Sequence, residues 1–154
     1  LKKYLKQVNE KYNFDFVIID TPPTPSVWMA SALLASDYYL IPVKPDPISF
    51  VGIDLLENII NTKREAYDLH IKCLGIIFTM VEREDSIVYQ QALKQAEDGR
   101  WKKYNFKKYL PKRADIAKYQ LNKQFILDTK DKLAMSSLTN IVNEIINRIN
   151  YEEK

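Results

Sequence analysis

Glycine is scarce in this 154-residue sequence: only Gly52, Gly75 and Gly99 occur, and no two lie near each other. A phosphate-cradling loop needs successive backbone N–H groups in conformations that glycine permits, at a helix N-terminus. Neither a Gly-x-x-x-x-Gly-Lys-Ser/Thr run nor a lysine-glycine-glycine run is present, so these residues build no such cradle. Cysteine is limited to Cys73, which excludes an internal disulfide and points to a reducing compartment. Within its apolar run Cys73 reads as a small core residue. His70 is the one histidine; it excludes a His-based metal cluster and reads as a surface loop residue. No stretch approaches the ~18 uninterrupted apolar residues that span a bilayer. The opening residues are charged and amphipathic, unlike a signal peptide. The first residue is Leu1 rather than methionine, and we expect the chain to be a piece of something longer.

What is present is an ordinary globular balance, 46% hydrophobic and 28% charged, which excludes disorder of the whole chain. The length suits one domain with a real core. A net charge of +3 is mild. The distribution of charge therefore carries more meaning than its sum.

Apolar spacing predicts a helix over residues 1–12 and a buried strand at Phe16–Ile19. Ser26 is placed to cap a helix bearing Val27, Met29, Ala30, Leu33 and Leu34. A strand at Tyr38–Ile41 is expected to stop at Pro42, with Pro45 and Pro47 making the following loop rigid. A long helix is expected after Ser49, and the most hydrophobic run, Cys73–Thr79, reads as a third strand. A helix over 86–97 ending at Gly99 follows. A fourth short strand is expected at Phe106–Leu110, then helices at 115–121 and 132–150. Alternating strands and helices imply an α/β domain with a mostly parallel sheet and flanking helices, taken as a single domain over 1–154.

Asp20 follows the run Phe14-Asp15-Phe16-Val17-Ile18-Ile19 and precedes Thr21-Pro22-Pro23. It is placed at the expected carboxyl end of a strand, where open α/β sheets bind ligands. A carboxylate there holds Mg²⁺, directly or through water, or else caps the next turn. Both readings stand on the local pattern.

Five blocks in order resemble the ParA/Soj family of plasmid and chromosome partitioning ATPases, the deviant Walker group that includes MinD-like proteins. They are Phe16–Pro23, Ala35–Val43, Ile48–Ile53, Leu74–Arg83, and Leu110–Arg113 with Ile116 and Ala117. The resemblance implies the C-terminal part of a P-loop NTPase fold, with the phosphate loop in a preceding half. It implies that Asp20 is the Walker B aspartate supporting Mg²⁺, and that Thr21, Pro22 and Pro23 form the switch sensing the γ-phosphate and touching the dimer partner. It puts Thr79 and Met80 on one side of the adenine of ATP and Leu110, Pro111 and Lys112 on the other. Taken by themselves, Thr79 is equally a locally satisfied strand-end hydroxyl and Pro111 a plain strand terminator.

A second feature is basic. Arg100, Lys102, Lys103, Lys107, Lys108, Lys112 and Arg113 fall within fourteen residues with no acidic residue between them. Clustered cations bind nucleic acid phosphates without sequence preference; a solvated lysine-rich loop is the plainer alternative. Trp101, Tyr104, Phe106 and Tyr109 interleave and are expected to pack inward, because duplex DNA hides its bases. Arg83 is a further candidate contact for DNA or a dimer partner. The apolar stripe of the last helix is expected to pack on the sheet, not on a membrane, because its polar face lacks the Lys/Arg richness of interfacial helices.

These expectations combine into the C-terminal half of a partition ATPase. The family resemblance implies an ATP-dependent dimer on non-specific DNA, stimulated by a ParB-like centromere-binding partner, in the bacterial cytoplasm at the nucleoid. The 154 residues alone are expected to be inactive, and an exposed sheet edge is expected to favour self-association. The rival readings are a non-catalytic DNA- or protein-binding module and a MinD-like regulatory ATPase.

Overall fold

The computed structural model describes residues 1–22 and 24–152. Its contacts group the chain into two units: Leu1–Tyr39 with Asp54–Cys73, and Leu40–Ile53 with Leu74–Lys154.

In the first unit, α1 (Lys2–Tyr12) ends at Asn13, whose φ of 50° is left-handed and whose N–H donates to the Asn9 carbonyl. Asparagine tolerates that conformation and is a common helix stop. α2 (Val27–Ala35) starts as expected, with Ser26 Oγ accepting the Met29 N–H at 3.2 Å. Met29 and Leu33 of α2 pack with Ile60 and Ile71 into a small core, walled by Tyr39, Leu56, Ile59 and Leu69. The Arg64 guanidinium donates to the Ile71 carbonyl at 2.7 Å.

The strand expected at Phe16–Ile19 does not form. Residues 16–20 have no ladder pairing, and Ile18 is 93% exposed. A doubly buried strand needs neighbours for its N–H and C=O groups and helices over its side chains. Among the described residues no strand pairs with this stretch. Asp20 therefore follows an unpaired segment rather than a strand end.

Three strands form one sheet in the order β1 (Tyr38–Val43), β2 (Lys72–Val81), β3 (Leu110–Pro111). All but the first residues of β1 and β2 fall in the second unit. Residues Leu74–Phe78 of β2 are all buried, the unbroken apolar run of a central strand. β1 continues through Pro42 instead of stopping there. An edge strand accepts a proline because its outer row of N–H groups has no ladder partner.

α3 (Pro47–Tyr67) also starts earlier than expected. Asp46, not Ser49, caps it: Asp46 Oδ1 accepts the Ser49 N–H at 2.9 Å and Oδ2 the Ser49 hydroxyl at 3.0 Å. Pro47 then occupies the first helical turn, where its missing donor costs nothing. α4 (Ile87–Asp98) is capped by Ser86 and stops at Gly99, which is extended at φ −103°.

The strand expected at Phe106–Leu110 shrinks to Leu110–Pro111, preceded by an isolated parallel bridge between Ile76 and Asn105. Pro111 pairs with Val81 and is the last residue of that strand. α5 (Ala114–Leu121), a 3₁₀ turn at Ile126–Asp128 and α6 (Lys132–Glu152) complete the chain. Phe78, 2% exposed, is the centre of this unit's aromatic packing, 6.2 Å from the Phe50 ring and 5.5 Å edge-on from Tyr89. Burial of one such ring contributes about 1.5–3 kcal/mol. Ile141 of α6 packs with Ile77 and Phe106, so the C-terminal helix is seated on the sheet.

Candidate functional site

The sequence-predicted site residues fall into three groups. Asp20, Thr21 and Pro22 are in the first unit, where they line an open cleft of about 430 Å³ with Leu1, Tyr4, Ile19, Trp28, Ser31 and Ala32. Asp20 and Thr21 are exposed. Pro23 lies outside the described residues. A hard carboxylate and a neighbouring hydroxyl suit Mg²⁺, which takes one or two carboxylates, keeps several waters and completes its shell with phosphate oxygens. Among the described residues no three His, Cys, Asp or Glu side chains are gathered into a metal cage. The donor set fits a magnesium ion shared with a nucleotide; it does not fit a metal held by protein alone.

Thr79, Met80, Leu110, Pro111 and Lys112 are brought together at the carboxyl ends of β2 and β3 in the second unit. Thr79 pairs with Leu110 and Val81 with Pro111 in parallel register, so two residues of β2 oppose one of β3 at Met80. That is a bulge, and bulges re-aim side chains. Met80 holds φ at 57° and stands 48% exposed. The Thr79 hydroxyl donates to the Val43 carbonyl of β1 at 3.5 Å, and the Lys112 N–H donates to Val81 at 2.8 Å. At this edge the Met80 thioether stands out, whereas Leu110 packs on Ile77, Phe106 and Ile141 and Pro111 is buried.

The sequence reading missed two charges here. Lys112 Nζ is 2.5 Å from Glu82 Oε1. Lys112, and more weakly Lys44 after β1, hold the Glu82 carboxyl below its ordinary range. Glu82 stands 30 residues from Lys112, too far for any local charge pattern. Lys44 follows β1 directly, and recognition of Pro42 as a strand residue places it at the same sheet end.

The basic group divides on inspection. Arg113 Nε donates to Asp131 Oδ2, a side chain only 8% exposed. Asp131 also accepts the Ala134 N–H at 3.1 Å at the start of α6. Arg83 grips Asp85 with two hydrogen bonds of 2.9 and 2.6 Å. Three of the predicted cations, Arg83, Lys112 and Arg113, thus carry their own counter-ions. Lys102, Lys103, Lys107 and Lys108 are exposed; Lys103 also lies over the Tyr104 ring at 4.6 Å, and Arg100 over Trp101 at 5.4 Å. Trp101 and Phe106 are buried, 6% and 4% exposed, so the segment is pinned by aromatic pegs between outward lysines. Tyr109 is half-buried; burial, and then a hydrogen bond with Glu84, push its hydroxyl up to about 12.

A protein-family profile described as an AAA domain matches residues 1–73. The virulence-plasmid ParA family protein pGP5-D of Chlamydia psittaci is 24% identical over 153 residues, covering 97% of this chain and 55% of that protein. The chain therefore spans about half the length of that relative. Among solved structures, the MinD cell division protein of Aquifex aeolicus superposes with a TM-score of 0.73 at 16% identity, over 95% of this chain and 59% of its own. The structure of pNOB8 ParA bound to nonspecific DNA superposes at 0.52 with 18% identity, over 94% and 58%. The fold is that of these two proteins, a parallel sheet with flanking helices.

Proposed function

We propose, from the premise that this chain is of the ParA partitioning-ATPase type in sequence and fold, that it forms the C-terminal part of a partition ATPase. The intact protein would move plasmid or chromosomal DNA by an ATP-controlled cycle of dimerisation, non-specific DNA binding and release prompted by a ParB-like partner, in the bacterial cytoplasm. In that reading Asp20 holds Mg²⁺ through water, and Thr21 and Pro22 respond to the terminal phosphate beside it. Met80, Leu110 and Pro111 receive the base, with Thr79 and the Lys112 backbone framing it. Magnesium, when bound, neutralises charge developing on the transferred phosphoryl group. Residues of this chain position and orient; the phosphate cradle comes from a glycine-rich loop in the part of the protein beyond these 154 residues.

The observation that carries DNA binding is the anchored run of exposed lysines, Lys102, Lys103, Lys107 and Lys108. The solved ParA relative is described as bound to nonspecific DNA, which supports the same reading. Counterion release makes such binding fall with salt at about 0.9 decades per decade for each phosphate neutralised. The chain is expected to bind random-sequence duplex DNA at low salt. Replacing the four lysines by glutamine is expected to flatten the salt slope by about three to four. No binding at low salt by folded protein would overturn this assignment. The enzymatic part is tested on the full-length gene product, whose ATP turnover should rise with DNA; a full-length protein with no DNA-dependent turnover would remove it.

A further inference from the structure

Arg148 of α6 is built into the basic segment from below. Its Nη1 donates to the Leu74 carbonyl of β2 at 2.8 Å and to the Tyr104 carbonyl at 3.2 Å. Its Nη2 donates to the Asn105 carbonyl at 2.8 Å and to Glu144 Oε1 at 2.6 Å. The guanidinium lies 4.1 Å from the centre of the Phe106 ring. Glu144, one helical turn earlier, accepts the Lys107 N–H through Oε2 at 3.1 Å. Both side chains are largely covered, 22% and 17% exposed.

Gly75 makes room for this arrangement. It holds φ at 145°, and a Cβ there would meet the Tyr104 carbonyl at 2.1 Å and Arg148 Nη1 at 2.8 Å. The segment's backbone also joins β2 through Ile76 N–H to Tyr104 and Phe106 N–H to Ile76, at 2.9 and 3.0 Å. Backbone carbonyls 104 and 105 and amide 107 are therefore fixed by one ion pair. Lys102 and Lys103 precede those anchors, Lys107 carries one of them and Lys108 follows, and all four are exposed.

We infer that Arg148 and Glu144 are positioning residues for polyanion binding: they hold residues 103–107 so that Lys102, Lys103, Lys107 and Lys108 meet successive phosphates together. The inference rests on the DNA-binding reading above. Arg148 itself is spent on carbonyls and a carboxylate and contributes no phosphate contact. A planar fork with donors on several sides is needed to reach three peptide carbonyls and a carboxylate at once, which a lysine ammonium does not reproduce.

The test measures binding of random-sequence duplex DNA across a salt series for the wild type, Arg148→Lys, Arg148→Met and Glu144→Gln, with amide hydrogen exchange at Lys107. Arg148→Lys keeps the charge. It is nonetheless expected to weaken binding roughly tenfold and to flatten the salt slope by about one to two contacts. Glu144→Gln should behave likewise and should speed exchange of the Lys107 amide. In the background lacking the four lysines, the Arg148 change is expected to add nothing, the coupling of residues that act through each other. Should Arg148→Met fail to fold, Glu144→Gln carries the test. An unchanged slope in Arg148→Lys and Glu144→Gln, with wild-type binding intact, would overturn the positioning role. Absence of binding by the wild type would instead overturn the DNA-binding reading, and the positioning role with it.

Discussion

Met80 stands in a left-handed backbone conformation that costs a non-glycine residue about 1–2 kcal/mol. The cost is held by the bulge, where β2 fits two residues opposite one of β3. A β-branched side chain tolerates positive φ worst. Met80→Val is therefore expected to lose about 1–2 kcal/mol in urea unfolding, with Met80→Gly close to neutral; equal stabilities would show that the bulge yields. No feature of a methionine in an apolar run announces this conformation. It follows from pairing with a strand 30 residues away. Asp131 belongs to the same scale. Arg113 beside it, and then the Ala134 N–H, hold its carboxyl below the ordinary range. A depressed carboxylate stabilises the fold fully above its unfolded pKa of about 3.9, and that contribution disappears as pH falls through the lower folded value. Asparagine keeps the helix cap but not the charge. The thermal midpoint of wild type should thus exceed that of Asp131→Asn at pH 6, and the two should converge as the pH falls through the lower folded value. A gap independent of pH would rule out the ion pair as its source.

At the scale of elements, two apolar runs that look alike in sequence meet opposite fates. Leu74–Phe78 is buried as the middle strand, whereas Phe16–Ile18 lies exposed with no ladder. Composition and β-propensity are shared by both; what differs is the supply of neighbours, which propensity does not encode. Phe78→Ala is expected to cost about 3–5 kcal/mol. Ile18→Asp should fall within about 0.5 kcal/mol. A large loss from Ile18→Asp in chemical denaturation would mean that this stretch is covered in solution. Helix starts were more legible. Ser26 and Ser86 cap as their position before an apolar run suggests, and Asp46-Pro47 is a start signal that Ser49 obscured. In the basic segment inward packing of the aromatics was expected because duplex DNA hides its bases, and Trp101 and Phe106 are buried. The counter-ions Glu82 and Asp131 were not legible, since each pairs across a gap of sequence that only the fold closes.

The molecule as a whole carries a net charge of +3, too little to mark a nucleic-acid partner by sum. The expected partner is read from where the exposed lysines of residues 102–108 lie. The α/β class and the seating of α6 were legible because long, strongly periodic elements dominate them. The boundaries of the two units fall inside β1, α3 and β2, close to Pro42, Gly52 and Gly75. At this scale one expectation concerns nucleotide. The 154 residues contain no glycine-lysine loop, so ATP turnover by this chain should match the protein-free blank. Turnover above the blank would require a phosphate site of another kind.

Among the described residues Pro42 lies in β1 at one margin of the sheet. A foreign strand approaching that margin meets a carbonyl but no amide at this position, so a ladder growing outward from it is interrupted. Margins blunted in this way resist fibre growth. Pro42→Thr restores the donor and a good strand former, and a shorter lag in a seeded thioflavin assay would then expose the residue as a guard against polymerisation; an unchanged lag would move that guard elsewhere.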